Sequence, residues 1–407
     1  MLCVIISLKY RYKCIKQGIY FSYFYKEVIL LNEYYDFYAK PKSFWLTVNR
    51  KCNFRCKWCY AESSEYKAKD NMTLEKAKEI IDLACSMDVH QITLTGGEPT
   101  YWDNLIDFNQ YCNGKDVHVG MVTNACRFGN DKYWDRYLES PCESVGVSIK
   151  GVNAMQFSNL VNAPNLLKQT IRGIERAMNF YQDIGVSTVY SNLVSIDDLK
   201  GIATISKKLG AKSFMVSLCT ATLSDKGPSD QYMIEPNKLA TNLMDVYPFL
   251  DQLYDSKVTL EMSLPLCLWP KSFIDQLIDK NQIMSICHVQ DRSGLIFDTN
   301  GDIMPCNGMV GIYIAKKDID FNDAESLKNH LNCQDLRDNY AELLRYPTDC
   351  CEKCVYNDRC RGGCIINWTI LKPQGLCHPV LMKGVIKSDK VYSTTPKEWI
   401  KKGYCNE

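Results

Sequence analysis

The chain has 407 residues, a formal net charge of +1, 46% hydrophobic and 23% charged residues. These values fit a soluble globular protein with two or three domains, or one large domain with an appendage. They provide no long-range field for nucleic acid or an anionic membrane surface.

The unusual count is cysteine, 21 in all. The N-terminal stretch "MLCVIISLKYRYKCIK" has a short apolar run cut off by Lys9, with no charged leader and no small-residue cleavage site. No uninterrupted apolar span approaches the ~20 residues of a transmembrane helix. The expectation is a cytoplasmic protein that touches neither membrane nor nucleic acid, whose clustered thiols bind metal rather than cross-link.

Residues 1–43 are rich in Tyr, Ile and Lys and read as an N-terminal extension without a motif. From Phe44 onward strands and helices alternate. The apolar run "SFWLTVN" is followed by three cysteines, and Thr73 is a fitting N-cap for "LEKAKEIIDLACSM", whose apolar residues recur at helical spacing. Then come "QITLT", "GGEPT" and a helical stretch holding Leu105, Ile106 and Phe108. The strands "VHVGMVTN", "SVGVSIKG", "VSTVYSNLV" and "KSFMVSL" follow, with helical segments between the last three. Six apolar strands separated mostly by helices predict a parallel α/β sheet with right-handed crossovers, open or curled towards a barrel. Such architectures place their chemistry at the carboxyl ends of the strands, where Cys52, Gly96, Asn124 and Lys150 fall. Residues 221–261 read as a linker and helical bridge, with "TLSDKGPSDQ" before the helix "EPNKLATNLMDVYPFLDQLY". Periodicity fades beyond Pro265, where a cysteine-rich region is expected to be held by its ligands rather than by a large core.

Cys52, Cys56 and Cys59 lie within eight positions, and nothing nearby completes a zinc tetrahedron, since Cys85 falls inside the expected helix. Three thiolates on an iron–sulfur cubane would leave one iron open to an outside ligand. Arg50, Lys51, Arg55 and Lys57 would offset the negative charge of such a cluster, or form an ordinary solvated basic loop.

C-x3-C-x2-C followed by the aromatic Tyr60 resembles the signature of the radical S-adenosylmethionine (SAM) superfamily, and the resemblance covers residues 44–220. It implies a partial (β/α)6 TIM-like barrel, a 4Fe–4S cluster on the three cysteines, and SAM chelating the open iron. "GGEP" supplies Gly96, Gly97 and Glu98, where the superfamily holds the amino group of SAM. "TNA" with Asn124, and "SIKG" with Ser148 and Lys150, resemble strand-end motifs that approach ribose and carboxylate, and Asn192 could join them. Cleavage of SAM would release a 5′-deoxyadenosyl radical, which the protein aims at one C–H bond.

The second series is Cys287, Gly301 and Cys306, then Cys351, Cys354, Cys360 and Cys364, then Cys377. Its order resembles the SPASM extension found on a subset of radical SAM enzymes, here over residues 262–380, with 381–407 as a tail. The resemblance implies two auxiliary 4Fe–4S clusters. Cys287, Cys306 and Cys364 would hold the first, and Cys351, Cys354, Cys360 and Cys377 the second. The first lacks a fourth ligand; Cys267 is the nearest upstream candidate, the alternative being a small core residue and an open iron. The remaining cysteines read as small hydrophobes.

SPASM-bearing relatives mostly modify peptides or proteins, so the resemblance implies oxidation, thioether or carbon–carbon cross-linking, or epimerisation of a ribosomally made peptide. A ferredoxin or flavodoxin would donate electrons. Residues 1–43 look too short for a complete leader-binding domain, so leader recognition would fall to the catalytic body or to a separate partner. One alternative is a sulfatase-type maturase, which places an acid where this chain has Asn307, an amide that cannot act as a base. Another is a non-catalytic iron–sulfur electron carrier, for which GGEP and the strand-end polar motifs would be superfluous.

Overall fold

The computed structural model describes residues 41–61, 69–151, 153–224, 227–229, 231–285, 288–309, 311–343, 351 and 353–367. The expected N-terminal extension (all but 41–43) and C-terminal tail lie outside the described residues, as do Cys287 and Cys377.

All six expected strands form: β1 (Ser43–Thr47), β2 (Gln91–Thr95), β3 (His118–Thr123), β4 (Ser144–Ser148), β5 (Gly185–Tyr190) and β6 (Ser213–Leu218). They pair in parallel, each beside its predecessor in sequence. The helices between them include α1 (Leu74–Ser86), α2 (Leu105–Cys112), α3 (Asp131–Tyr137), α4 (Ala154–Val161), α5 (Leu167–Phe180) and α6 (Ile196–Lys208). The Thr73 side chain accepts a hydrogen bond from Lys76 N, so α1 starts where a hydroxyl can satisfy one of its free amides. Ser195 and Asp198 form a reciprocal capping box on α6.

The sheet continues past residue 218. A short hairpin, β7 (Thr222–Ser224) and β8 (Gly227–Ser229), precedes the helix α7 (Pro236–Leu253). Then β9 (Val258–Glu261) adds to β6 as a seventh parallel strand, with the two-residue β10 (Ile283–Met284) outside it. At the other edge β11 (Gly294–Phe297) pairs parallel to β1, and β12 (Ile303–Met304) turns back against β11. The sequence reading ended the parallel sheet near residue 220. "VTLE" and "GLIF" carry only four residues each, too few for alternation to distinguish a strand from a loop.

Strand alternation separates two faces. Phe44, Leu46, Ile92, Leu94, Val145 and Val216 are among the side chains that bury one face in the apolar core, with the helices packed over it. The opposite face carries small and polar residues such as Thr93, Gly146, Ser148 and Ser217, which are half-buried. This is the concave face of an incomplete barrel. Among the described residues no helix is long and apolar enough to cross a membrane.

Candidate active site at the strand ends

The loop carrying Cys52, Cys56 and Cys59 leaves the end of β1 and is pinned from three directions. Arg55 N donates to Val161 O at 2.8 Å and Lys57 N to Leu160 O at 3.1 Å, which docks the loop on the end of α4. Phe54 is buried with its ring edge-on to Phe157, centroids 5.3 Å apart. On the third side the GGE segment extends the β1–β2 pairing beyond the strands. Gly97 N donates to Asn49 O at 2.8 Å, Glu98 N to Lys51 O at 2.9 Å, and Asn49 Nδ2 to Glu98 O at 2.9 Å. The approach is too close for a side chain. A Cβ on Gly97 would lie 2.5 Å from Lys51 O, and one on Gly96, whose φ is +154°, 2.5 Å from Asn49 O. Tyr60 Oη donates to Gly96 O at 3.2 Å and closes the same corner.

Glu98 is 2% exposed and its carboxylate is a junction. Oε1 accepts from Thr100 N at 3.2 Å, Thr100 Oγ1 at 2.8 Å and Thr123 Oγ1 at 2.5 Å, while Oε2 accepts from Asn124 N at 2.8 Å. Such charge-assisted bonds fix the ends of β2 and β3 against each other. Asn124 then reaches the cysteine loop, donating from Nδ2 to Asn53 Oδ1 at 2.8 Å. Lys150 Nζ sits 2.9 Å from Ser148 Oγ at the end of β4 and 5.8 Å from the Phe54 ring centroid. Seven of the eight residues expected to contact SAM thus gather around this corner. Asn192 stands apart: it is exposed and its amide donates to Gln231 O at 2.9 Å, beside the loop that leads to α7.

The basic neighbours of the cysteines do not form one solvated patch. Arg50 is buried and pairs with Asp298, at the end of β11, their side chains only 1% and 3% exposed. Tyr313 Oη donates to the other oxygen of Asp298 at 3.0 Å. Arg55 donates to Cys52 O at 2.7 Å, and Lys51 lies over the Tyr101 ring. Lys51, Arg55 and Lys57 are exposed. Sequence reasoning missed Asp298 because its partner is 248 positions away; the only local signal was an acid closing the apolar run "GLIF".

The three thiols are half-buried and within electrostatic reach of one another. Burial, then Glu98, then the other two thiols push the Cys52 thiol up to about 12. Thr47 Oγ1 and Asn49 Oδ1 are buried without a partner among the described residues. Soft thiol donors, unspent polar atoms and a glycine-floored corner at one strand end fit a thiolate-bound iron–sulfur cluster with a polar co-ligand beside it. Among the described residues no three His, Cys, Asp or Glu side chains are spaced for a single ion; the thiolates of a cubane bind different irons and need not converge on one point.

Several of the described C-terminal cysteines lie close to one another. Cys364 is electrostatically coupled to Cys306, and Cys360 to Cys351 and Cys354. Burial first, then these neighbours, raise Cys364 to about 12 and Cys360 to about 11. The turn bearing Cys267 packs on the segment between Cys360 and Cys364: Leu266 N donates to Cys360 Sγ at 3.3 Å, and Cys364 N to Ser263 O at 2.7 Å. Gly363 makes this contact possible, since a Cβ there would lie 2.8 Å from the Leu264 carbonyl carbon. Asn307, next to Cys306, keeps its side-chain oxygen buried and without a partner among the described residues.

Residues 46–216 match the Radical SAM superfamily. The AdoMet-dependent heme synthase of Nitratidesulfovibrio vulgaris is 24% identical over 334 residues, covering 78% of this chain and 85% of that one. The probable GTP 3′,8-cyclase of Thermococcus kodakarensis is 20% identical over 185 residues; the match takes in 45% of this chain and spans 59% of the cyclase. SuiB of Streptococcus suis, solved bound to S-adenosylmethionine, superposes with a TM-score of 0.61 at 14% identity, covering 96% of this chain and 87% of SuiB. Its complex with the precursor peptide SuiA gives a TM-score of 0.59 at 14% identity, covering 86% and 76%. Fold, strand-end geometry and family match agree: residues 46–216 are a radical SAM domain, of the kind that works with S-adenosylmethionine and a 4Fe–4S cluster.

Proposed function

We propose that this chain is a radical SAM enzyme with a SPASM-type extension over residues 262–380, acting on a ribosomally made peptide or a protein. The carrying observation is the closeness of Cys364 to Cys306 and of Cys360 to Cys351 and Cys354, next to a radical SAM domain. Likeness of fold to SuiB, solved with its precursor peptide, supports the choice of substrate.

In this reading Cys52, Cys56 and Cys59 hold the first cluster. Cys267, Cys287, Cys306 and Cys364 hold the second, and Cys351, Cys354, Cys360 and Cys377 the third. Cys52, Cys56 and Cys59 would hold the cluster, which with SAM bound would supply radical chemistry at a substrate C–H bond. The chain's own residues fix where that happens. Gly96 and Gly97 let backbone close on the cysteine loop, while Glu98 holds the ends of β2 and β3 in place. Asn124 orients Asn53, Tyr60 caps Gly96, Lys150 and Ser148 present polar groups from β4, and Asn192 orders the loop before α7. A ferredoxin or flavodoxin supplies the electron, and leader recognition falls to the catalytic body or a separate partner. Asn307 lacks the basicity wanted in a formylglycine-forming maturase, so peptide cross-linking, oxidation or epimerisation by another route is favoured.

A second reading is action on a tetrapyrrole, favoured by the match to the heme synthase, which runs over 78% of this chain and so beyond the radical SAM domain. Anaerobic reconstitution tests both. The expected result is roughly 12 irons per chain, 5′-deoxyadenosine formed from SAM, and a mass change in a short precursor peptide encoded beside this chain. About four irons would remove the SPASM assignment. A modified tetrapyrrole with an unchanged peptide would favour the second reading. SAM left intact by the reduced protein would leave only the electron-carrier alternative.

A further inference from the structure

The concave face of the sheet is nearly free of charge. From β1 through β6 and on to β9, the positions that share this face in register are Ser, Thr, Gly, Val, Met, Trp and Gln, with two ionisable exceptions. One is His118 at the amino end, 2.9 Å from Ser144 Oγ. The other is Glu261, the last residue of β9, paired in register with Ser217 of β6. Glu261 therefore stands at the carboxyl end of the sheet, the end that carries the Cys52 loop, Gly96 and Lys150. It is also within electrostatic reach of Cys364. Among the described residues no Lys, Arg or His pairs with it.

A carboxylate at that position needs an explanation. Burial raises its pKa and the Ser217 hydroxyl only partly offsets this. A half-buried carboxylate of this kind either holds its proton or takes a positive group that arrives beside it. Lys150, just past the end of β4, donates to Ser148 Oγ at 2.9 Å. It projects from the end of β4, three strand spacings from β9, roughly 14 Å along the sheet. It cannot neutralise Glu261. A triphosphate or a tetrapyrrole polycarboxylate seated against β9 would meet the Glu261 carboxylate there, with Lys150 three strands away and Lys51, Arg55 and Lys57 on the Cys52 loop, which is poor local complementarity for a polyanion.

We propose that Glu261 is a substrate-contacting residue that selects a peptide segment presenting a basic side chain and rejects polyanions. The inference rests on the peptide-modifying reading above and narrows its substrate class. The ammonium or guanidinium seats on the Glu261 carboxylate beside Ser217, and this anchors the peptide between the radical SAM corner and the Cys306–Cys364 pair.

The test uses the full chain, anaerobically reconstituted and loaded with SAM, immobilised against a displayed library of random ten-residue peptides. Wild type is compared with Glu261→Gln and Glu261→Lys, with iron content and circular dichroism confirming that each variant is folded and loaded. GTP and uroporphyrin are titrated calorimetrically against all three. Wild type should enrich Lys or Arg at one position by at least ~10-fold. The Gln variant should lose that preference, and the Lys variant should turn it towards Asp or Glu. Equal enrichment by all three proteins overturns the role of Glu261 and leaves the peptide reading standing. Binding of GTP or uroporphyrin to wild type without peptide enrichment overturns the peptide reading and the inference with it, and enrichment of nothing by any protein counts against both.

Discussion

Cys52, Cys56 and Cys59 follow a strand whose Phe44 and Leu46 are fully buried, and their loop is bonded through its backbone to the GGE segment and to α4. Cys306, Cys354, Cys360 and Cys364 sit instead among a two-residue strand, turns and a four-residue helix, Asn357–Cys360. Thiols accept backbone amides in both regions: Cys52 Sγ from Phe54 N at 3.4 Å in the first, and Cys360 Sγ from Leu266 N and Cys306 Sγ from Gly308 N at 3.2 Å in the second. The first site is shaped by a sheet that exists for its own apolar reasons. The second joins short elements to the core through a few apolar side chains, Tyr356, Ile365 and Ile366 among them, and through its sulfurs. Two cysteine clusters in one chain can therefore depend on metal to different degrees.

The largest expected effect breaks the comparison directly. Stripping iron with a chelator should leave amides of β1–β6 protected from hydrogen exchange, while those of residues 353–367 exchange at least ~100-fold faster, because local stability follows buried apolar contacts and bound ligands. Replacing Cys351, Cys354 and Cys360 with alanine should reproduce that pattern. Replacing Cys52, Cys56 and Cys59 should abolish 5′-deoxyadenosine formation with little change in the melting curve. Equal loss of protection in both regions would erase the distinction.

The next experiment concerns the point where the regions meet. Asp298→Asn removes the anion that faces buried Arg50, and an uncompensated buried charge costs about 3–5 kcal/mol. Urea denaturation of the iron-free protein should show a loss of that size. A loss below ~1 kcal/mol, the size of an exposed pair, would mean that the C-terminal strand and the cysteine loop are independent.

The smallest effect is a control on the outer surface. Arg176 first, and Arg172 at 2.6 Å beside it, hold the exposed Asp131 carboxyl below its usual value. A folded pKa below the unfolded one gives a stabilising contribution that is complete above the unfolded value and is lost as pH falls through the folded one. Asp131→Asn should therefore narrow the stability difference between neutral and strongly acidic pH without touching either cysteine region. A shift in the exchange of residues 353–367 would show unexpected coupling.

The sequence alone determined much of the radical SAM domain. Six strands, the Thr73 cap and the placement of Cys52, Gly96, Asn124 and Lys150 at strand ends follow from apolar alternation, capping chemistry and the rule that parallel sheets work at their carboxyl edge. Those signals are local. The tertiary structure decided what local patterns cannot carry. It inserted β11 beside β1, spent the Glu98 carboxylate on Thr100, Thr123 and Asn124, buried Arg50 against Asp298, and turned Asn192 towards Gln231. It also set Glu261 at the carboxyl end of a concave surface that carries few ionisable side chains. Each of these depends on which distant groups meet once the sheet has assembled, because a buried charge or amide takes its partner from space rather than from its neighbours in the chain.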